Sequence, residues 1–90
     1  MTAVRFTLYS RSYCHLCHDM ISALESARAT RDFQFDVVEV DDSPELEARF
    51  GEWVPVLAAG EREIFHYHFQ ESLLDAALQH DPQDRAARKA

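Results

Sequence analysis

The chain is short of base. Nine Lys and Arg stand against sixteen Asp and Glu, giving a net charge of −7 over 90 residues. That balance argues against nucleic acid as a partner, because phosphate binding draws on clustered cations. No apolar run approaches the ~18 residues that cross a bilayer, so no membrane span is expected. The opening Met1-Thr2-Ala3-Val4-Arg5 lacks the basic segment and apolar core of a secretory leader, and a cytoplasmic location is expected. Cysteine is scarce too, with two in all. In a reducing compartment a pair of cysteines is a poor structural staple. Ninety residues, 47% of them hydrophobic, suffice for one core and one domain. That domain is expected over 1–80, with a loose polar tail over 81–90.

The two cysteines are neighbours in Cys14-His15-Leu16-Cys17, a C-x-x-C. A bond between them closes too short a loop to constrain the unfolded chain appreciably. Chemistry or a metal is therefore the first reading of the pair.

Hydrophobic periodicity sets the order of the elements. Val4, Phe6 and Leu8 alternate with Arg5, Thr7 and Tyr9, as a strand requires. From about Cys14 the period changes. Cys17, Met20, Ile21, Leu24 and Ala27 share one helical face, with Asp19 expected in the first turn and Arg28 and Arg31 near the end. Phe33 to Val40 reads as a second strand, joined to the first by a helix-length crossover and hence parallel to it. Ser43 is a predicted N-cap and Pro44 a first helical residue for a short helix to Phe50, stopped by Gly51. Trp53–Ala58 and Glu61–Phe65 read as an antiparallel hairpin across Ala59-Gly60. Gln70 to His80 closes the domain as a helix with Leu73, Leu74, Ala77 and Leu78 on one side, ended by Pro82. The order is β-α-β-α-β-β-α, a four-stranded mixed sheet flanked by three helices.

This order puts the cysteines where a strand hands over to a helix, the end of an α/β sheet at which chemistry collects. Free N–H groups and the positive end of the helix dipole favour an anion there. Helix N-termini and C-x-x-C motifs lower cysteine pKa values to about 3.5–7.5, so Cys14 is the expected nucleophile. Cys17, one turn on and deeper, is the expected resolving thiol, leaving a Cys14–Cys17 bond after exchange. His15, when protonated, adds a neighbouring cation to a Cys14 thiolate. Tyr13 is a candidate aromatic lid over the pair. Pro55, in an apolar run, must lie at a strand's start, edge or bulge.

Tyr9-Ser10-Arg11, Cys14-x-x-Cys17, then Val54-Pro55 about 40 residues later, a hairpin and a closing helix together resemble a glutaredoxin of the thioredoxin-like superfamily, over residues 4–80. The nearest likeness is to small bacterial glutaredoxin-like proteins. The resemblance implies a thioredoxin-like α/β fold and thiol–disulfide oxidoreductase activity. It also implies a cis Val54–Pro55 bond whose backbone positions the substrate, and a role for Arg11 in receiving a glutathione carboxylate. No tightly bound cofactor is implied, only glutathione or another thiol reductant as co-substrate. The implied partners are disulfide-bearing proteins or small-molecule thiols. Phe6 and Leu8 on one face of the first strand leave no acid beneath the dithiol, which favours the glutaredoxin branch over thioredoxin proper. The chain departs from the pattern in three places. His15 stands where proline usually follows the nucleophile. Phe65-His66-Tyr67-His68-Phe69 replaces a Gly-Gly pair, and Gln70-Glu71 matches only part of an acidic pair.

The rival reading is a redox-inactive interaction module. Its contact surface would be Phe65 to Phe69 or Trp53. The cysteines would be idle or would hold a metal with two of His15, His18, His66, His68 and His80. A structural zinc needs four protein ligands, and no second half-site follows at finger spacing, so no metal is expected.

Overall fold

The computed structural model describes residues 4–79. Val4–Ser10 forms β1, His15–Ala27 α1 and Phe33–Glu39 β2; a single 3₁₀ turn, Val40–Asp42, leads into α2, Pro44–Phe50. Val56–Ala59 and Arg62–His66 are β3 and β4, and Glu71–Gln79 is α3. The sheet runs β2-β1-β3-β4. β1 is parallel to β2, Phe6 opposite Phe35 and Leu8 opposite Val37, and antiparallel to β3, Leu8 opposite Leu57. The mixed four-stranded sheet with three helices is the architecture expected from the sequence. Among the described residues no helix is long and apolar enough to cross a membrane.

The pleat of β1 divides the molecule. Phe6 and Leu8 point to one side, where Met20, Leu24 and Ala27 of α1 and Leu74 and Ala77 of α3 close over Phe33, Leu57 and Phe65. Tyr9 points to the other side and stacks on Phe50 of α2, ring centroids 4.1 Å apart. A helix pair thus seals one face of the sheet, and α2 packs on the other near the end from which Cys14 emerges.

Several local expectations are corrected. α1 starts at His15, so Asp19 falls past the first turn, and neither the first nor the last turn carries the charge the dipole favours. Arg28 is instead the C-cap, its Nε donating to the Phe33 carbonyl at 3.1 Å. Arg31 lies beyond the helix and grips α3, with Nε 2.6 Å from Asp75 and Nη2 on Glu71. The hydrogen bond from Arg31 holds the Asp75 carboxyl below the usual carboxylate range. β3 begins at Val56, so Trp53 to Pro55 lie ahead of the ladder, and β4 is shifted by one residue to Arg62–His66. A two-residue turn joins them, with Gly60 at φ +64°. Leu73 faces outward, 40% exposed, while Leu74 and Ala77 are buried. The predicted helix end at His80, its stop at Pro82 and the 81–90 tail lie outside the described residues.

Gly51 ends α2 for a reason unlike the one expected. Its φ of −56° and ψ of −34° are ordinary helical values, not a left-handed cap. A Cβ at this position would meet the Glu47 carbonyl oxygen at 2.5 Å and Nη2 of Arg11 at 2.7 Å. The constraint is space.

Candidate redox site

Cys14 is the N-cap of α1, with extended backbone at φ −140° and ψ 108°. Its Sγ accepts from the Cys17 N–H at 3.1 Å, the part usually played by a Ser, Thr, Asp or Asn oxygen. Its carbonyl accepts the helix's first backbone bond, from the His18 N–H at 3.2 Å. One helical turn on, Cys17 is 1% exposed and packs with Val40 and Val54. The two cysteines are joined as a disulfide, Cα atoms 5.1 Å apart. The pair is therefore asymmetric: Cys14 is half-buried at the rim and Cys17 is sealed beneath it. Such a pair is a redox-type site, since one sulfur can be reached from solvent and the other cannot.

Val54 and Pro55, both buried, are joined by a cis peptide bond. Val54 belongs to the same small cluster as Cys17, with Tyr9, Cys14, Leu46 and Phe50 around it. Pairing of β3 begins at Val56, so the Val54 backbone takes no rung of the ladder. The sequence-predicted Cys14, Cys17 and Val54-Pro55 are thus brought together. His15 and His18 are exposed on the first turns of α1 beside the disulfide. Tyr13 does not form the expected lid: its side chain is 100% exposed and covers nothing.

Arg11 is already occupied. Its Nη2 lies 2.6 Å from Glu47 Oε2 and its Nε 3.5 Å from Asp41 Oδ1. That Nε is buried and, among the described residues, has no hydrogen-bond partner of its own. One residue on, Ser12 Oγ donates to Glu39 at 2.9 Å.

Tyr67 is the contributor that sequence reasoning missed. It sits just after β4 at φ +68°, a conformation that costs a non-glycine residue about 1–2 kcal/mol. Its N–H donates to the Pro55 carbonyl at 2.9 Å, and its hydroxyl donates to the Glu52 carbonyl at 3.0 Å. Its ring stacks on Trp53 at 6.0 Å, and the His66 ring meets Trp53 edge-on at 5.4 Å. The aromatic run thus buttresses the 52–55 loop, with Phe65 in the core and Phe69 against it. Its only signal in sequence was its place in the bulky Phe65-His66-Tyr67-His68-Phe69 run that stands in place of a Gly-Gly pair. Among the described residues no group of three His, Cys, Asp or Glu is placed to hold a metal ion. His66 is paired with Glu63, and His80 lies outside the described residues.

The sequence matches the family described as Glutaredoxin-like domain (DUF836) over residues 5–79. Protein Ne2328 from Nitrosomonas europaea, solved by NMR, is similar in structure with a TM-score of 0.77 at 28% identity, covering 87% of this chain and 94% of that one. Protein XcR50 from X. campestris, in its X-ray structure, is 40% identical with a TM-score of 0.66 over 86% of this chain and 99% of that one. No curated protein matches. Sequence and fold agree across almost the whole described span, and the chain belongs to the glutaredoxin-like domain family.

Proposed function

We propose that the chain is a thiol–disulfide oxidoreductase in which Cys14 attacks and Cys17 resolves. The observation that carries this reading is the asymmetry of the pair at the head of α1. The accessible sulfur receives the Cys17 N–H, and its partner is 1% exposed. In the reduced state that N–H bonds to a thiolate, a charge-assisted contact worth about 1.5–3 kcal/mol. The helix dipole adds roughly 0.3–1 kcal/mol.

The exchange balances as follows. The Cys14 thiolate attacks one sulfur of a substrate disulfide, whose S–S bond breaks. The departing thiolate takes a proton from water. Cys17 gives up its proton to solvent and attacks Cys14 Sγ, expelling the second substrate sulfur as a thiolate, which takes a proton from solvent, and leaving the Cys14–Cys17 disulfide. Two electrons pass to the substrate. An external thiol, glutathione or another reductant, returns the pair to the dithiol in a reducing compartment such as the cytoplasm. His15 beside the nucleophile contributes attraction when protonated. Val54, packed against Cys17 and unpaired in the ladder, offers backbone to an incoming disulfide, and the exposed Tyr13 stands at the rim. Partners on this reading are disulfide-bearing proteins or small-molecule thiols.

The test is trapping. Cys17→Ser should accumulate a mixed disulfide with a small disulfide substrate, and Cys14→Ser should accumulate none. If Cys14→Ser traps as well, or neither does, the assignment of roles fails.

A further inference from the structure

Arg11 is the residue that the resemblance assigned to a substrate carboxylate. We infer that its charge is instead spent inside the molecule, clasping the loop before Cys14 to α2. On this inference the site favours uncharged or cationic disulfides over carboxylate-bearing ones. The inference rests on the proposed exchange chemistry and specifies its substrate class.

Four observations support it. Two carboxylates, from Glu47 and Asp41, face the one guanidinium, so the local charge sum is already negative. Gly51 leaves room for it, since a Cβ there would come within 2.7 Å of Nη2. The buried Nε is turned inward toward Asp41. The neighbouring Ser12 fastens the same loop to Glu39, adding a third acid beside it. A cavity of about 370 Å³ opens next to Arg11, but Glu47 and Glu52 line it along with Gly51 and Trp53. A carboxylate entering there faces Glu47 and Glu52 beside an arginine already paired with Glu47. Like-charge contact is a recognised route to discrimination between partners. Arg11 is accordingly a positioning residue for Cys14, acting through the 11–14 loop.

The experiment compares oxidised glutathione with hydroxyethyl disulfide, which is neutral, in the wild-type chain and in Asp41→Asn/Glu47→Gln. The wild type should prefer the neutral disulfide. Removing the two acids should raise the ratio of kcat/KM for glutathione disulfide over the neutral one by about tenfold, mainly through KM. Adding Arg11→Gln to that background should cut the gain to the smaller part that relief of like-charge repulsion gives alone. Three results overturn the inference: a wild type that already prefers glutathione disulfide, an unchanged ratio after the acids are removed, or a gain left undiminished without Arg11. Failure of the wild type to exchange with either disulfide would instead sink the proposed function. The clasp is then still read from the melting temperatures of Arg11→Gln, Glu47→Gln and the double variant. Non-additive shifts support it and additive shifts overturn it.

Discussion

Gly51→Ala sets two physical effects against each other, and the geometry says which wins. At φ −56° and ψ −34° an alanine is conformationally at ease. On backbone entropy alone the change should stabilise by about 0.4–1 kcal/mol. The contacts say otherwise. The new Cβ would lie 2.5 Å from the Glu47 carbonyl oxygen, 2.7 Å from Arg11 Nη2 and 3.1 Å from Glu47 Cγ. The first of these is backbone, and it already accepts the Gly51 N–H at 2.8 Å, so it cannot retreat without stretching that bond. Forcing a methyl into such a space costs about 1–3 kcal/mol. The balance is a loss of about 0–2.6 kcal/mol centred on ~1.3, equivalent at that centre to roughly 5–10 °C in the unfolding midpoint of a domain this size. The assay is thermal and urea unfolding with excess reductant, which keeps the Cys14–Cys17 bond out of the comparison. Repeating it in Arg11→Gln removes the side-chain clash and should shrink the penalty. An alanine variant as stable as the wild type, or more so, would refute the reasoning.

Two further outcomes follow from the packing. Leu24→Ala empties a fully buried position between α1 and the sheet, and should cost about 3 kcal/mol, lowering the midpoint by roughly 12–24 °C in calorimetry. Asp75→Asn removes a carboxyl whose folded pKa is depressed by Arg31. A depressed pKa contributes stability that is present above the unfolded value and lost as pH falls through the folded one. The urea midpoints of the variant and wild type should therefore differ at pH 7, and the gap should begin to narrow as pH falls below about 4, the ordinary aspartate value. A gap that stays constant with pH would show that the Arg31–Asp75 pair contributes nothing through its charge.

What the sequence disclosed was governed by short range. The switch from period two in Val4–Tyr9 to period 3.6 after Cys14 located the N-terminus of α1. That position alone assigned the unequal environments of Cys14 and Cys17. Pro55 in an apolar run was legible as a start, an edge or a bulge, but the strand was expected from Trp53 and its ladder begins only at Val56. What stayed hidden depends on segments far apart in the chain. Arg11 meets Glu47 thirty-six residues away, and Arg31 meets Asp75 forty-four residues away. No local pattern distinguishes those arginines from solvated ones, so Arg31 was read as a partner of its own helix and Arg11 as a substrate receptor. Gly51 was legible as a stop but not as a gap, because the atoms it accommodates come partly from the Arg11 loop. Tyr67 defied the turn rules outright. Its left-handed backbone is held by bonds to Pro55 and Glu52, and nothing near it in sequence foretold them.

The register slip between Leu57 and Ala58 leaves Ile64 unmatched in the outermost strand, β4. A strand bent in this way, with the exposed charges of Arg62 and Glu63 along it, makes a poor template for a neighbouring copy. Among the described residues β4 is the last strand on that side of the sheet, and its bulge and charges disfavour edge-to-edge growth into ribbons. Crowded solutions should find it monodisperse along that border.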